Sequence, residues 1–211
     1  MSNATASNLI AGNAIVPNEW TLVRLPVSEE AVRKQAGKVV LYKLTGEAKV
    51  SEEQIAATEI PATGKVLVPL SVWRARKAEL TERLNQAELG VWLDTHEPVE
   101  TLGDFEPDLN IFPLIAVHVE RSADGRIFSI GRLLRTRYGY NNGLRAVGDV
   151  LRDQLFFLKR CGFDSYLIRA DRSAQEALAS LKDFTEPYQG AVDIKLPVWR
   201  RFHRPVGQGT A

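Results

Sequence analysis

Four short polar groups each follow an apolar run, and their residue types could do chemistry. They are Asp94-Thr95-His96, His118 with Glu120, Gly148-Asp149, and Arg169 with Asp171. In parallel α/β sheets ligands bind outside the carboxyl ends of the strands. If the apolar runs are neighbouring parallel strands, these groups share one edge. Carboxylates beside histidine and arginine could exchange protons with a substrate or hold a cation. Asp149 and Asp171 also stand where a helix N-cap or an Asx turn is wanted. His118 alternates inside an apolar strand, so a packed histidine is the plainer reading.

A second candidate is an arginine-rich stretch. From Arg121 to Arg172 ten Arg and one Lys face five Asp, a net of +6, whereas the other residues hold 16 basic and 21 acidic, a net of −5. The whole-chain charge of +1 conceals this division. Arg132, Arg135, Arg137 and Tyr138 fall on one expected helix, and Arg145 on the following strand. Asp149, Arg152 and Asp153 open the next expected helix. Guanidinium forks suit bidentate contact with sulfate, phosphate or carboxylate. These eight residues form the candidate anion- or partner-binding set. The alternative is a solvated helix face pairing with Asp149, Asp153 and Asp164. Nucleic acid is disfavoured, because the excess is modest and the rest of the chain is negative.

Other chemistries lack their residues. Cys161 is the only cysteine, so there is no internal disulfide and no ligand set for an iron–sulfur cluster. At the end of an apolar helix it reads as a small hydrophobe. His96, His118 and His203 lack metal-ligand spacing, and no metal site is expected. No dinucleotide or phosphate-loop glycine motif occurs, so the cofactor is unknown. No apolar run approaches the roughly 20 residues of a membrane span. The N-terminus lacks the basic start and hydrophobic stretch of a secretory signal, making the cytoplasm the expected compartment.

The elements that must position these residues follow from periodicity. We expect a flexible tail over 1–16, a β-rich segment over 17–64, an α/β core over 65–187 and an extended basic tail over 188–211. In the β-rich segment TLVRL and KVVLYKL read as strands, and Ser51-Glu52-Glu53 could open a short helix. In the core, strands at 66–68, 90–93, 114–119, 144–147 and 165–169 alternate with helices at 71–87, 127–138, 149–161 and 173–184. Ser71, Asp149 and Ser173 are the expected N-caps, and Gly90 lies just past the first helix. An acidic loop follows Asp94. Alternation with short loops implies a mostly parallel sheet, as an open doubly wound sheet or a partial β/α barrel. Trp73, Trp92, Phe156 and Phe157 could serve a core or a subunit interface.

One segment also carries a resemblance. The runs Ala123-Asp124-Gly125-Arg126 to Ser129, Arg132-Leu133-Leu134-Arg135, Arg137-Tyr138-Gly139-Tyr140, Leu144 to Leu158 and Arg160-Cys161-Gly162-Phe163-Asp164 resemble the signature of a proteobacterial family of unknown function. That family is commonly encoded beside assimilatory sulfite reductase, and its members are often labelled oxidoreductases of sulfite reduction on gene position. The likeness is closest over 123–164, looser at VLVPLSVW and GVWLD, and weak before 60 and in the tail. His118-Val119-Glu120-Arg121 stand where the family pattern has Asp-Phe-Pro-Lys. The resemblance implies sulfur assimilation in the cytoplasm and supplies no catalytic residue.

Three functional expectations result. The first is an accessory protein that docks sulfite reductase, or its electron donor, through the arginine-rich face. The second is a small sulfur-oxyanion binder or oxidoreductase with its site at the strand ends, using Arg145, Asp149 and Arg152. The third is a structural homo-oligomer without ligand.

Overall fold

Val66-Leu67-Val68 and Leu114-Ile115-Ala116-Val117 place apolar side chains on both faces of a strand, so both faces need cover. A computed structural model describes residues 7–26 and 50–202. Within them eight strands form one sheet: β1 Leu9–Ala11, β2 Ala14–Val16, β3 Trp20–Leu22, β4 Lys65–Pro69, β5 Leu89–Asp94, β6 Leu114–Val119, β7 Gly143–Gly148 and β8 Ser165–Leu167. The helices are α1 Glu52–Ala56, α2 Leu70–Asn85, α3 Val99–Phe105, α4 Arg126–Thr136, α5 Leu155–Arg160, α6 Ala174–Ser180 and α7 Val198–Arg201. The KVVLYKL run lies outside the described residues.

Strand order across the sheet is β2-β1-β8-β7-β6-β5-β4-β3. β3 to β8 run parallel in chain order, while β1 is antiparallel to both β8 and β2. Because the order never reverses, right-handed crossovers put every crossover helix on the same face. This makes the fold a curled half-barrel rather than a doubly wound sheet. Chain connectivity demands the curl. Val16 ends one edge strand and Trp20 begins the other, with only residues 17–19 between them. Four extended steps reach at most about 14 Å, whereas eight strands laid flat span about 34 Å.

Alternation along the strands builds two cores. Val66, Val68, Val91, Leu93, Ile115, Val117, Leu144 and Ala146 face the helices, against Leu80, Leu84, Leu102, Ile130, Leu134 and Leu158. Leu67, Trp92, Leu114, Ala116 and Val147 face the interior, joined by Trp20, Leu22 and Leu167. Trp92 also donates from Nε1 to the Val23 carbonyl at 2.8 Å. Burying each such side chain stabilises by about 1.5–3 kcal/mol, and Leu93→Ala should cost about 2–5 kcal/mol. Trp73 and Trp92 therefore belong to cores, while Phe157 is exposed.

Local differences from expectation have physical causes. Strands β1 and β2 stand where a flexible tail was expected, because Ile10 packs into the outer core. Helix α2 begins one residue earlier than expected, with Pro69 rather than Ser71 at its N-cap. It ends without a glycine: Ala87 takes the left-handed turn at φ 57. Gly90 lies inside β5, as expected, and a Cβ there would come within 2.3 Å of the Leu114 carbonyl oxygen. The acidic loop contains α3, which buries Val99 and Leu102. Asp149 does not cap the next helix, since a 3-10 turn at Arg152–Gln154 intervenes and α5 starts at Leu155. Ser51 and Ser173 do cap α1 and α6. Helix α6 stops at Ser180, and the tail contains the single turn α7.

Candidate functional site

The carboxyl ends of β5 to β8 meet at one mouth of the half-barrel. Asp94 and His118 are register partners on adjacent strands and both point to the interior. His118 Nδ1 lies 2.5 Å from Asp94 Oδ1, with the side chains 15% and 20% exposed. With the neutral imidazole donating from Nδ1, Nε2 presents a lone pair. Trp92 stands edge-on to the ring at 5.6 Å between centroids. Such a carboxylate–imidazole pair can act as a general base.

Asp149 and Asp171, and Asp124 in the turn after β6, are held by arginine. Asp124 accepts from Arg126 Nε and Nη2 and from the Thr95 hydroxyl. The Arg126 hydrogen bonds hold its carboxyl down at about 2, against burial that pushes upward. Asp149 accepts from the Ser122 amide at 2.8 Å and from Arg169 Nη1 at 2.7 Å. Burial raises its carboxyl, but those hydrogen bonds outweigh burial and the net direction is down. Arg169 also grips Asp171 through Nε and Nη2, which holds that carboxyl at about 2. His96 is buried beside a cavity of about 570 Å³ that Ser71, Arg74 and Thr101 also line.

The eight residues of the arginine-rich candidate set occupy separate places. Arg132 is exposed on α4. Arg135 is an internal staple, donating to the carbonyls of Gly162, Tyr140 and Asn142 and to Asp164. Arg137 pairs with Glu100 at 3.2 Å and lies over the Tyr138 ring. Burial raises the Tyr138 hydroxyl, which has no hydrogen-bond partner among the described residues. Arg145 lies in the barrel interior, where its guanidinium donates to Asn18 and Ser165. Asp149 is at the mouth, whereas Arg152 and Asp153 are exposed and line a cavity of about 240 Å³ with Ile168 and Ser173. Burial pushes the Cys161 thiol up despite Arg132 and Arg160, which does not favour a nucleophile.

A surface of which sequence reasoning singled out only Phe156 and Phe157 runs over α5 and the C-terminal segment. Among the described residues Phe157, Phe184, Tyr188, Leu196, Trp199 and Phe202 are six of the seven exposed large hydrophobics, each more than half exposed. Their rings associate: Phe156 with Phe157 and Phe184, and Tyr188 with Trp199 at 4.9 Å. Arg160 fastens the segment, its carbonyl accepting from the Val192 amide and its guanidinium reaching the Gln189 carbonyl and Asp193. Arg201 holds Glu186 and the Pro187 carbonyl. Among the described residues no carboxylate forms an ion pair with Lys159, Lys182, Lys195 or Arg200. The available signal was a tail whose aromatics, spaced among Pro and Gly, had no periodicity for a core.

Residues 90–199 match the family described as Bacterial protein of unknown function (DUF934). The chain belongs to this family. The DUF934 span starts inside β5, so it contains Asp94 and His118, the arginine-rich segment and most of the aromatic surface. Strands β1 to β4 lie before it. Neither a curated protein nor a solved structure matches the chain.

Proposed function

We propose that this DUF934 protein is an accessory protein of sulfite reduction that docks an acidic protein partner through the basic aromatic surface over α5 and the C-terminal segment. The carrying observation is the concentration of six exposed large apolar side chains there, with four cations lacking an ion-pair partner among the described residues. Contiguous exposed apolar patches mark interaction sites. Tyr, Trp and Arg are the residues that most often dominate binding energy, and complementary charge speeds association and selects partners. A two-fold contact between copies would set this positive surface against itself, which disfavours a homo-oligomer through it. The choice of partner, sulfite reductase or its electron donor, comes from the family resemblance, as does a cytoplasmic setting. No described helix is long and apolar enough to cross a membrane.

The oxyanion-binding reading has less support, because Arg145 and Arg152 lie on different sides of the barrel wall and Asp149 is held by Arg169 and Ser122. The test is biolayer interferometry against sulfite reductase and its electron donor, at low salt and at about 0.15 M, where the screening length is about 8 Å. Binding that weakens with salt is expected. The triple variant Phe157→Ala, Tyr188→Ala, Trp199→Ala should lower affinity at least tenfold with an unchanged circular dichroism spectrum, since all three side chains are exposed. Absence of binding to both partners at both salts overturns the reading.

A further inference from the structure

The docking surface leaves the Asp94–His118 pair without a role, and four observations give it one. Both residues face the interior at the carboxyl ends of adjacent parallel strands, so backbone register rather than a mobile loop sets their approach. The 2.5 Å contact engages Nδ1. Among the described residues no hydrogen bond reaches Nε2, and the side chain retains 15% exposure. Gly148, at φ +100, flanks that same nitrogen. A Cβ there would lie 3.1 Å from Nε2, 3.0 Å from Cδ2 and 2.2 Å from the Val119 carbonyl oxygen. Glycine at 148 thus keeps a side chain of its own off this edge of the ring.

We propose that the mouth of the half-barrel is a proton-transfer site, in which His118 accepts a proton at Nε2 from an O–H, N–H or S–H group of a small ligand and Asp94 positions the ring. In that step the X–H bond breaks, its electron pair stays on X, and an Nε2–H bond forms. The imidazolium so created keeps its Nδ1–H on the Asp94 carboxylate, which offsets the new charge. Trp92, edge-on to the ring, holds the imidazole plane. Asp94 is a positioning residue, because it acts through His118. This activity is independent of the docking surface.

Two measurements on the full chain test it. The first is nitrogen NMR of the histidine side chains in the ¹⁵N-labelled protein. The Nδ1–H tautomer with an unprotonated Nε2 is expected for His118, and the opposite tautomer overturns the proposal. The second uses diethyl pyrocarbonate, which acylates an accessible unprotonated imidazole nitrogen, with the modified peptides mapped by mass spectrometry. His118 should react at least tenfold faster than His96, which is 6% exposed. Asp94→Asn should slow the His118 reaction severalfold and leave His96 unchanged. Equal rates for the two histidines in the wild type, or no effect of a folded Asp94→Asn, count against a proton acceptor at the mouth. The NMR result needs no variant and stands even if Asp94→Asn fails to fold.

Discussion

Arg145→Met should make the protein more stable. Arg145 sits in the middle of β7 with 7% of its surface exposed, between Ala116 and Ser165 on the neighbouring strands. Its guanidinium has two hydrogen bonds, to Asn18 Oδ1 at 3.0 Å and Ser165 Oγ at 3.4 Å, and no carboxylate pairs with it among the described residues. Burial pushes it down from the ordinary arginine range to about 10, with Asp164 offsetting part of the effect. A depression of that size amounts to about 3 kcal/mol against the charged form at neutral pH. Methionine keeps much of the volume without the charge, and uncharged replacements of buried ions are often neutral or stabilising. The former partners are not orphaned: Asn18 still accepts from the Trp20 amide, and Ser165 still donates to Asp164. A gain of about 1–3 kcal/mol is expected, or a rise of roughly 2–10 °C in Tm for a domain of this size. The guanidinium keeps its proton across the working range, so its burial cost and the gain from methionine should stay constant around neutral pH. Differential scanning calorimetry at neutral pH is the assay. A Tm lowered by about 4 °C or more would show that the guanidinium is net stabilising and refute this reasoning.

Asp124→Asn should destabilise at neutral pH by about 2 kcal/mol, because the folded carboxyl is held near 2 and its side chain is 8% exposed. A depressed carboxyl stabilises above its unfolded value and loses that contribution as pH falls, so urea melts should show the gap closing between about pH 4 and 2. Ser173→Ala removes the hydroxyl that accepts from the Glu176 amide at the start of α6 and should cost about 1 kcal/mol in the same melts. Trp73→Phe deletes the Nε1 donor to Glu106, a carboxylate only 5% exposed. It should cost about 1–3 kcal/mol, measured by thermal unfolding, with Lys77 left as the remaining ion-pair partner.

Local patterns alone determined much of this molecule. Apolar alternation located β4 to β8, helical spacing located α2 and α4, and Ser51 and Ser173 announced their helices, because each signal depends on residues within a few positions. Strand and helix in alternation also implied the parallel sheet. Only tertiary structure decided the curl, since it depends on two sheet edges being joined by residues 17–19. The same distinction separates the arginines. Arg135, Arg145 and Arg160 look alike in sequence beside Arg132 and Arg152, yet three are bound into the fold and two face solvent. Gly90 was legible as part of a strand, but its need for a missing side chain comes from the Leu114 backbone across the sheet. Asp94 and His118 are 24 positions apart, and their contact comes from the register of β5 against β6. Residue type and spacing specify which elements form and which side chains share a strand face. Pairing between distant residues depends on how those elements close around a common core, which no local window contains.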